Sequence, residues 1–183
     1  QSDAGLAWHA ERDEWLAVYT HAGATTEVRA RRLASDGAPL GEPITLTTAA
    51  GTWLAQAVYV PTSADYLTAW FEGAMMVRRV DADGAPLGPA TPLAPGYGNS
   101  DGFALAFNQA SETFAAVFHG TNDEDFALAF AVDGATSAVL EATSSRGTDG
   151  HFNPHVAAHS TRPEWLLVTS LGFASVVGPR LGE

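Results

Sequence analysis

Six histidines and a scatter of loop carboxylates hold most of the chemistry in this chain. His21, His119 and His155 stand beside turns at the ends of short apolar runs. With a nearby carboxylate they would form a nitrogen-rich site of the kind that suits zinc, copper or nickel. No His-x-His or His-Glu-x-x-His spacing backs that reading, and histidines on separate repeats can equally cap separate strands. A second set is Trp53, Tyr97, Asn99, Asp101, His151 and Asn153. Aromatic faces stack on sugar rings, and Asp and Asn hydrogen-bond to hydroxyls, so this is the set expected to bind a ligand. Asp81-Ala82-Asp83-Gly84 opens like a calcium loop but lacks the later ligands and the closing Glu, and a hairpin turn is the expected structure. Any cofactor would be a metal ion, calcium or a transition metal, held near a central axis by loop groups.

The chain offers less to catalysis. Ser100, Asp101 and His151 can be assembled into a triad on paper, but there is no Gly-x-Ser-x-Gly elbow, phosphate loop or zinc-protease helix. Acidic pairs such as Asp13-Glu14 and the run Asp123-Glu124-Asp125 sit in turns, where they are solvated. No catalytic residue is expected.

What must position these residues is a repeat. Arg31-Arg32-Leu33-Ala34-Ser35-Asp36-Gly37-Ala38-Pro39-Leu40-Gly41 returns 47 residues later as Arg78-Arg79-Val80-Asp81-Ala82-Asp83-Gly84-Ala85-Pro86-Leu87-Gly88. Asp-Gly between apolar runs is a hairpin signal, because glycine takes the positive φ the turn needs. Apolar runs anchored on Ala7, Ala57, Ala106 and Ala157 recur 50, 49 and 51 residues apart. Each is followed by an acidic residue and a second run, beginning at Glu14, Asp65, Glu112 and Glu164. A third run follows in every repeat and a fourth in the first three.

No stretch keeps an i, i+3, i+4 apolar pattern with caps, so helix is not expected. Four antiparallel strands per repeat of about 50 residues predict the blades of a propeller, with small residues on the innermost strand. The second run, Trp15 to Tyr19, is apolar on both alternating faces, as a strand packed between neighbouring blades would be. A plain sandwich or barrel is the competing architecture.

The expectation is a single all-β domain over residues 1–183, with repeats near 1–50, 51–100, 101–150 and 151–183. The last repeat is too short for its outer strand. The blades would form a four-bladed ring or half of a larger ring completed by another chain, either a second copy in a homodimer or a partner chain.

The charge is −12 and all nine cations are arginine. That excess of acid argues against a nucleic-acid backbone or an anionic membrane as partner. With no cysteine there is no disulfide, thiolate metal site or cysteine nucleophile. The opening Gln1-Ser2-Asp3 reads as a processed start, which makes the chain an expected exported segment, secreted or periplasmic.

The four repeats resemble the β-propeller superfamily over residues 5–181. The Asp-Gly turns are similar to the Asp box of sialidase-like propellers, which joins the third and fourth strands of a blade. Here Ala85-Pro86-Leu87 follows Gly84, and the Asp-box Trp is missing, so the turn carries over and the sialidase chemistry does not. A four-blade count is also similar to hemopexin-like domains, whose disulfide this chain cannot form. The resemblance implies a rigid scaffold whose ligands sit on the face carrying the b–c and d–a loops, where a to d are the strands of a blade from inside out. Function is therefore expected to be that of a non-enzymatic secreted binding module for carbohydrate or a protein partner. The alternatives are a structural segment of a larger exported protein, completed by another chain, and a propeller hydrolase.

Overall fold

The computed structural model describes residues 4–94, 102–119, 125–133, 139–146, 155–168 and 175–177. No helix occurs among them, and the strands form four antiparallel sheets. The first sheet orders β1 (Ala4–His9), β2 (Glu14–Ala22), β3 (Thr26–Ala34) and β4 (Pro39–Thr48). The second is β5 (Trp53–Val60), β6 (Asp65–Phe71), β7 (Met75–Val80) and β8 (Thr91–Ala94). The third is β9 (Phe103–Asn108), β10 (Thr113–His119), β11 (Asp125–Val132) and β12 (Val139–Arg146). The fourth holds β13 (His155–Ala158), β14 (Trp165–Val168) and β15 (Ser175–Val177). Each sheet is a meander in chain order, the expected blade pattern. The first two sheets belong to one compact unit and the last two to another.

Strand register corrects one anchor of the repeat. Ala7 pairs with Leu16, Ala106 with Ala115 and Ala157 with Leu166. In the second sheet the residue at that position is Val58, paired with Leu67, and Ala57 lies one step off on the opposite face. Alternation in a strand makes a one-residue shift a change of face. Matching small residues by identity had hidden it. The third repeat shifts likewise: Thr113, paired with Asn108, stands where Glu14 pairs with His9, so Glu112 belongs to the turn.

Both Asp-Gly turns are three-residue loops. Ala34 donates its amide to the Ala38 carbonyl and Asp81 to that of Ala85. Only the glycines are left-handed, Gly37 at φ 85° and Gly84 at φ 86°, so Asp36 and Asp83 keep ordinary backbone. The arginines that open the motif explain its length. Arg31 Nε donates to the Gly41 carbonyl at 3.1 Å and Arg78 Nε to that of Gly88 at 2.6 Å, which pins the end of the motif to its start. Arg32 pairs with Glu14 through both Nε and Nη2, each at 2.9 Å. Arg79 pairs in the same way with Asp65 and reaches Ser63 Oγ at 2.6 Å, but this pair is buried. In the third sheet the equivalent position is Ala129, opposite Ala115, and Thr113 stands where the acid would be, so this ion pair has no counterpart there.

The core of the first unit lies between its two sheets. Ala7, Leu16, Val18, Val28, Ala30 and Leu46 of the first meet Ala55, Ala57, Tyr66, Trp70 and Val80 of the second. Burial of this kind contributes about 1.5–3 kcal/mol for each large side chain. Innermost strands β1 and β5 approach so closely that a Cβ on Gly5 would lie 2.6 Å from Gln56 Cα. Glycine is the residue that permits such an approach. In the second unit Trp165, Val156 and Ala158 pack on Ala106, Ala115 and Ala129.

Burial on both faces holds for β6, all of whose residues are buried, and for β10 from Thr113 to Phe118. It does not hold for β2. Leu16 and Val18 are fully buried, while Trp15, Ala17 and Tyr19 on the other face stay half-buried.

Candidate functional site

The end of the second sheet that carries its b–c turn and the preceding d–a link is where ligand chemistry was expected. Glu72 sits there, in the turn between β6 and β7, where its amide donates to the Ala74 carbonyl at 2.9 Å and Gly73 takes φ 70°. Its Oε2 accepts two hydrogen bonds, from Trp70 Nε1 at 3.0 Å and from Thr47 Oγ1 at 3.1 Å. Trp70 is a fully buried strand residue and Thr47 belongs to β4 of the neighbouring sheet, so the carboxylate is fixed from two elements. Among the described residues Oε1 makes no hydrogen bond, and the side chain is half-buried. A carboxylate held this way can accept from a ligand hydroxyl without first being ordered.

Trp53 opens β5 at the same end, paired with Phe71, the neighbour of Glu72. Its ring lies 5.8 Å from that of Phe71, on the face opposite Trp70 and Glu72. The register slips between Trp53 and Gln56, and Leu54 inside the slip has φ 55°. A leucine in the left-handed region is strained by about 1–3 kcal/mol, and bulges of this kind re-aim side chains near functional sites.

His21 is exposed near the end of β2, opposite Glu27, whose carboxylate is taken by Arg29 at 2.6 Å. His119 pairs in register with Asp125 at the matching end of β10, and His155 is exposed at the start of β13. His21 belongs to the first unit, His119 and His155 to the second. Among the described residues no group of three or more His, Asp or Glu is arranged to hold a metal ion. Tyr97, Asn99, Asp101, His151 and Asn153 lie outside the described residues. Asp81 and Asp83, the calcium-loop candidates, are engaged otherwise. Asp81 Oδ1 accepts the amides of Asp83 and Ala85, and Asp83 Oδ1 receives Arg12 and Arg32.

The opposite end of the same two sheets holds chemistry that the sequence reading passed over. His9, buried at the end of β1, has its ring 4.4 Å from Tyr59 and 5.8 Å from Tyr66. Among the described residues both its nitrogens and the Tyr59 hydroxyl lack hydrogen-bond partners. Burial pushes both tyrosines above their ordinary range, Tyr66 the further. Over this cluster Arg12, Arg32, Glu14 and Asp83 form an ion-pair network, and the Arg12 hydrogen bond holds the Asp83 carboxyl below its usual value. The third sheet has Asn108 in place of His9. Its Nδ2 donates to the carbonyls of Arg162 at 2.8 Å and Glu164 at 2.9 Å, in the fourth sheet. This position is a joint between neighbouring sheets. Its signal in the sequence was a polar residue at the same place in three repeats.

No protein-family model and no curated protein matches the chain. Solved structures do. A Bacteroides caccae protein of unknown function superposes with a TM-score of 0.60 at 16% identity, over 92% of this chain and 53% of that one. The catalytic domain of a GH62 α-L-arabinofuranosidase from Coprinopsis cinerea superposes with a TM-score of 0.58 at 11% identity, over 95% and 62%. The chain thus spans between half and two thirds of the length of these structures. Together with the meander sheets, the likeness gives the class: the fold is of the β-propeller type.

Proposed function

We propose that the chain is a non-enzymatic, exported β-propeller module that binds carbohydrate through the sheet end bearing Glu72 and Trp53. The observation that carries the reading is the Glu72 carboxylate, fixed by Trp70 and Thr47 with one oxygen left over. Trp53 lies at the same end on the other face of the sheet, packed with Phe71, and is a second place where a sugar ring could stack. A fixed acceptor is what a sugar hydroxyl, a donor, needs. Because one structure of like fold is an arabinofuranosidase domain, arabinose-containing oligosaccharides are the first ligands to try.

The test is a glycan array probed with the full chain, followed by assay of the same glycans for hydrolysis. Binding without turnover supports the module. Release of sugar would put a hydrolase in its place, and no binding to any glycan would end the carbohydrate reading.

A further inference from the structure

Within the first unit the boundary between sheets has a giving half and a receiving half. The second sheet gives Ala57, Tyr66 and the Asp83-Gly84 turn. A Cβ on Gly84 would lie 3.3 Å from Leu16 Cδ1 and 3.7 Å from Ala30 Cβ, so the turn rests on the first sheet. The first sheet receives with Leu16, Ala30 and Arg12, whose Nη1 meets Asp83 Oδ1 at 2.6 Å. Arg78 adds a bond from Nη1 to the Leu46 carbonyl at 2.5 Å.

Each half recurs at a place where it is exposed. By strand register and motif position, Leu6 is the counterpart of Ala57, Trp15 of Tyr66, Asp36-Gly37 of Asp83-Gly84 and Arg31 of Arg78. The first sheet therefore carries a second giving half on its other face. Leu6 is 58% exposed where Ala57 is 6%, and a Cβ on Gly37 would meet nothing within 4 Å. In the fourth sheet Leu166 is the counterpart of Leu16, and Arg162, third after His159, is the counterpart of Arg12, third after His9. Leu166 is 43% exposed where Leu16 is 0%. Arg162 is exposed and has Glu164 and His159 as neighbours.

We propose that the chain pairs with a second copy of itself: the giving face of the first sheet docks on the receiving face of the fourth sheet of the other copy. Asp36 of one copy meets Arg162 of the other, as Asp83 meets Arg12, and Leu6 and Trp15 cover Leu166. The acidic turn and the arginine-bearing turn are complementary in charge, and the contact copies one that the chain already makes. The contact is heterologous, since unlike faces of the two copies meet.

Light scattering of the full chain on a sizing column tests this over a range of concentrations. The wild-type protein elutes with the mass of two or more chains, rising with concentration. Leu6→Asp, Asp36→Arg and Arg162→Asp each weaken association by about tenfold or more. Mixing Asp36→Arg with Arg162→Asp restores the pair, since both contacts then join opposite charges. The substituted side chains are exposed, and far-UV circular dichroism checks that each variant keeps its strands. A wild-type protein with the mass of one chain at every concentration, or a mixture of the two charge variants that fails to pair, overturns the proposal.

Discussion

Arg12 Nη1 and Asp83 Oδ1 lie 2.6 Å apart, joining the a–b turn of the first sheet to the c–d turn of the second. Arg32 Nη1 shares the same oxygen at 3.0 Å. The second copy of the motif thus does more than close a hairpin, because Asp83 ties its sheet to the sheet before it. The Asp83 carboxyl is held below the ordinary value by this pairing, and its contribution is present above about pH 4, the value of a free Asp. Lowering the pH through the depressed native value protonates Asp83 and removes it. Acid titration of stability should therefore show a loss in that window that is smaller in Asp83→Asn. Equal acid limbs in the two proteins would deny the carboxylate this role.

Alkaline pH acts through Tyr66. Burial raises its pKa, so the native state holds the phenolic proton after the unfolded chain has released its own. Stability is full below about pH 10 and falls as pH rises beyond it. Tyr66→Phe should flatten that decline in urea-unfolding free energies measured from pH 8 to 11.

The two acid–arginine pairs of the repeat should differ in worth. The Asp65–Arg79 side chains are 9% and 5% exposed, the Glu14–Arg32 side chains 17% and 28%. Breaking the buried pair by Asp65→Ala removes a charge-assisted, doubly bonded contact of a buried arginine and should cost about 3–5 kcal/mol. Glu14→Ala should cost about 1 kcal/mol or less. Chemical denaturation of the two variants gives the comparison, and similar costs would contradict the burial argument.

Gly5→Ala places a methyl against the Gln56 backbone, which cannot rotate away. The innermost strands would have to separate, at about 1–3 kcal/mol. Thermal unfolding should show the loss, and an unchanged midpoint would mean that the strands lie further apart.

Trp165, almost wholly buried against Ala106 and Ala115, should cost about 3–5 kcal/mol when cut to alanine. A loss below about 1 kcal/mol would place it at the surface.

Much of this fold was legible because the Asp-Gly turns and the alternating runs are local signals. The Arg31 and Arg78 bonds to Gly41 and Gly88 also stay inside one repeat, which is why the motif recurs as a block. Less legible was anything that depends on which face a residue takes. Ala57 matched Ala7 by type but occupies the other side of its strand, and only pairing with β6 reveals it. The site was harder still. Glu72 could be placed at a strand end from the sequence, but its bonds to Trp70 and to Thr47 of another sheet depend on tertiary packing. The His9–Tyr59–Tyr66 cluster was missed for the same reason: its members are far apart in the chain and meet only when two sheets stack.

The measurement closest to the centre of this account is a calorimetric titration of the full chain with the best oligosaccharide from the array, repeated on Glu72→Gln. The account predicts that this variant keeps its fold and loses affinity by about tenfold or more, as expected when a charged hydrogen-bond acceptor is removed. Unchanged affinity would show that the Glu72 carboxylate takes no part in holding the sugar.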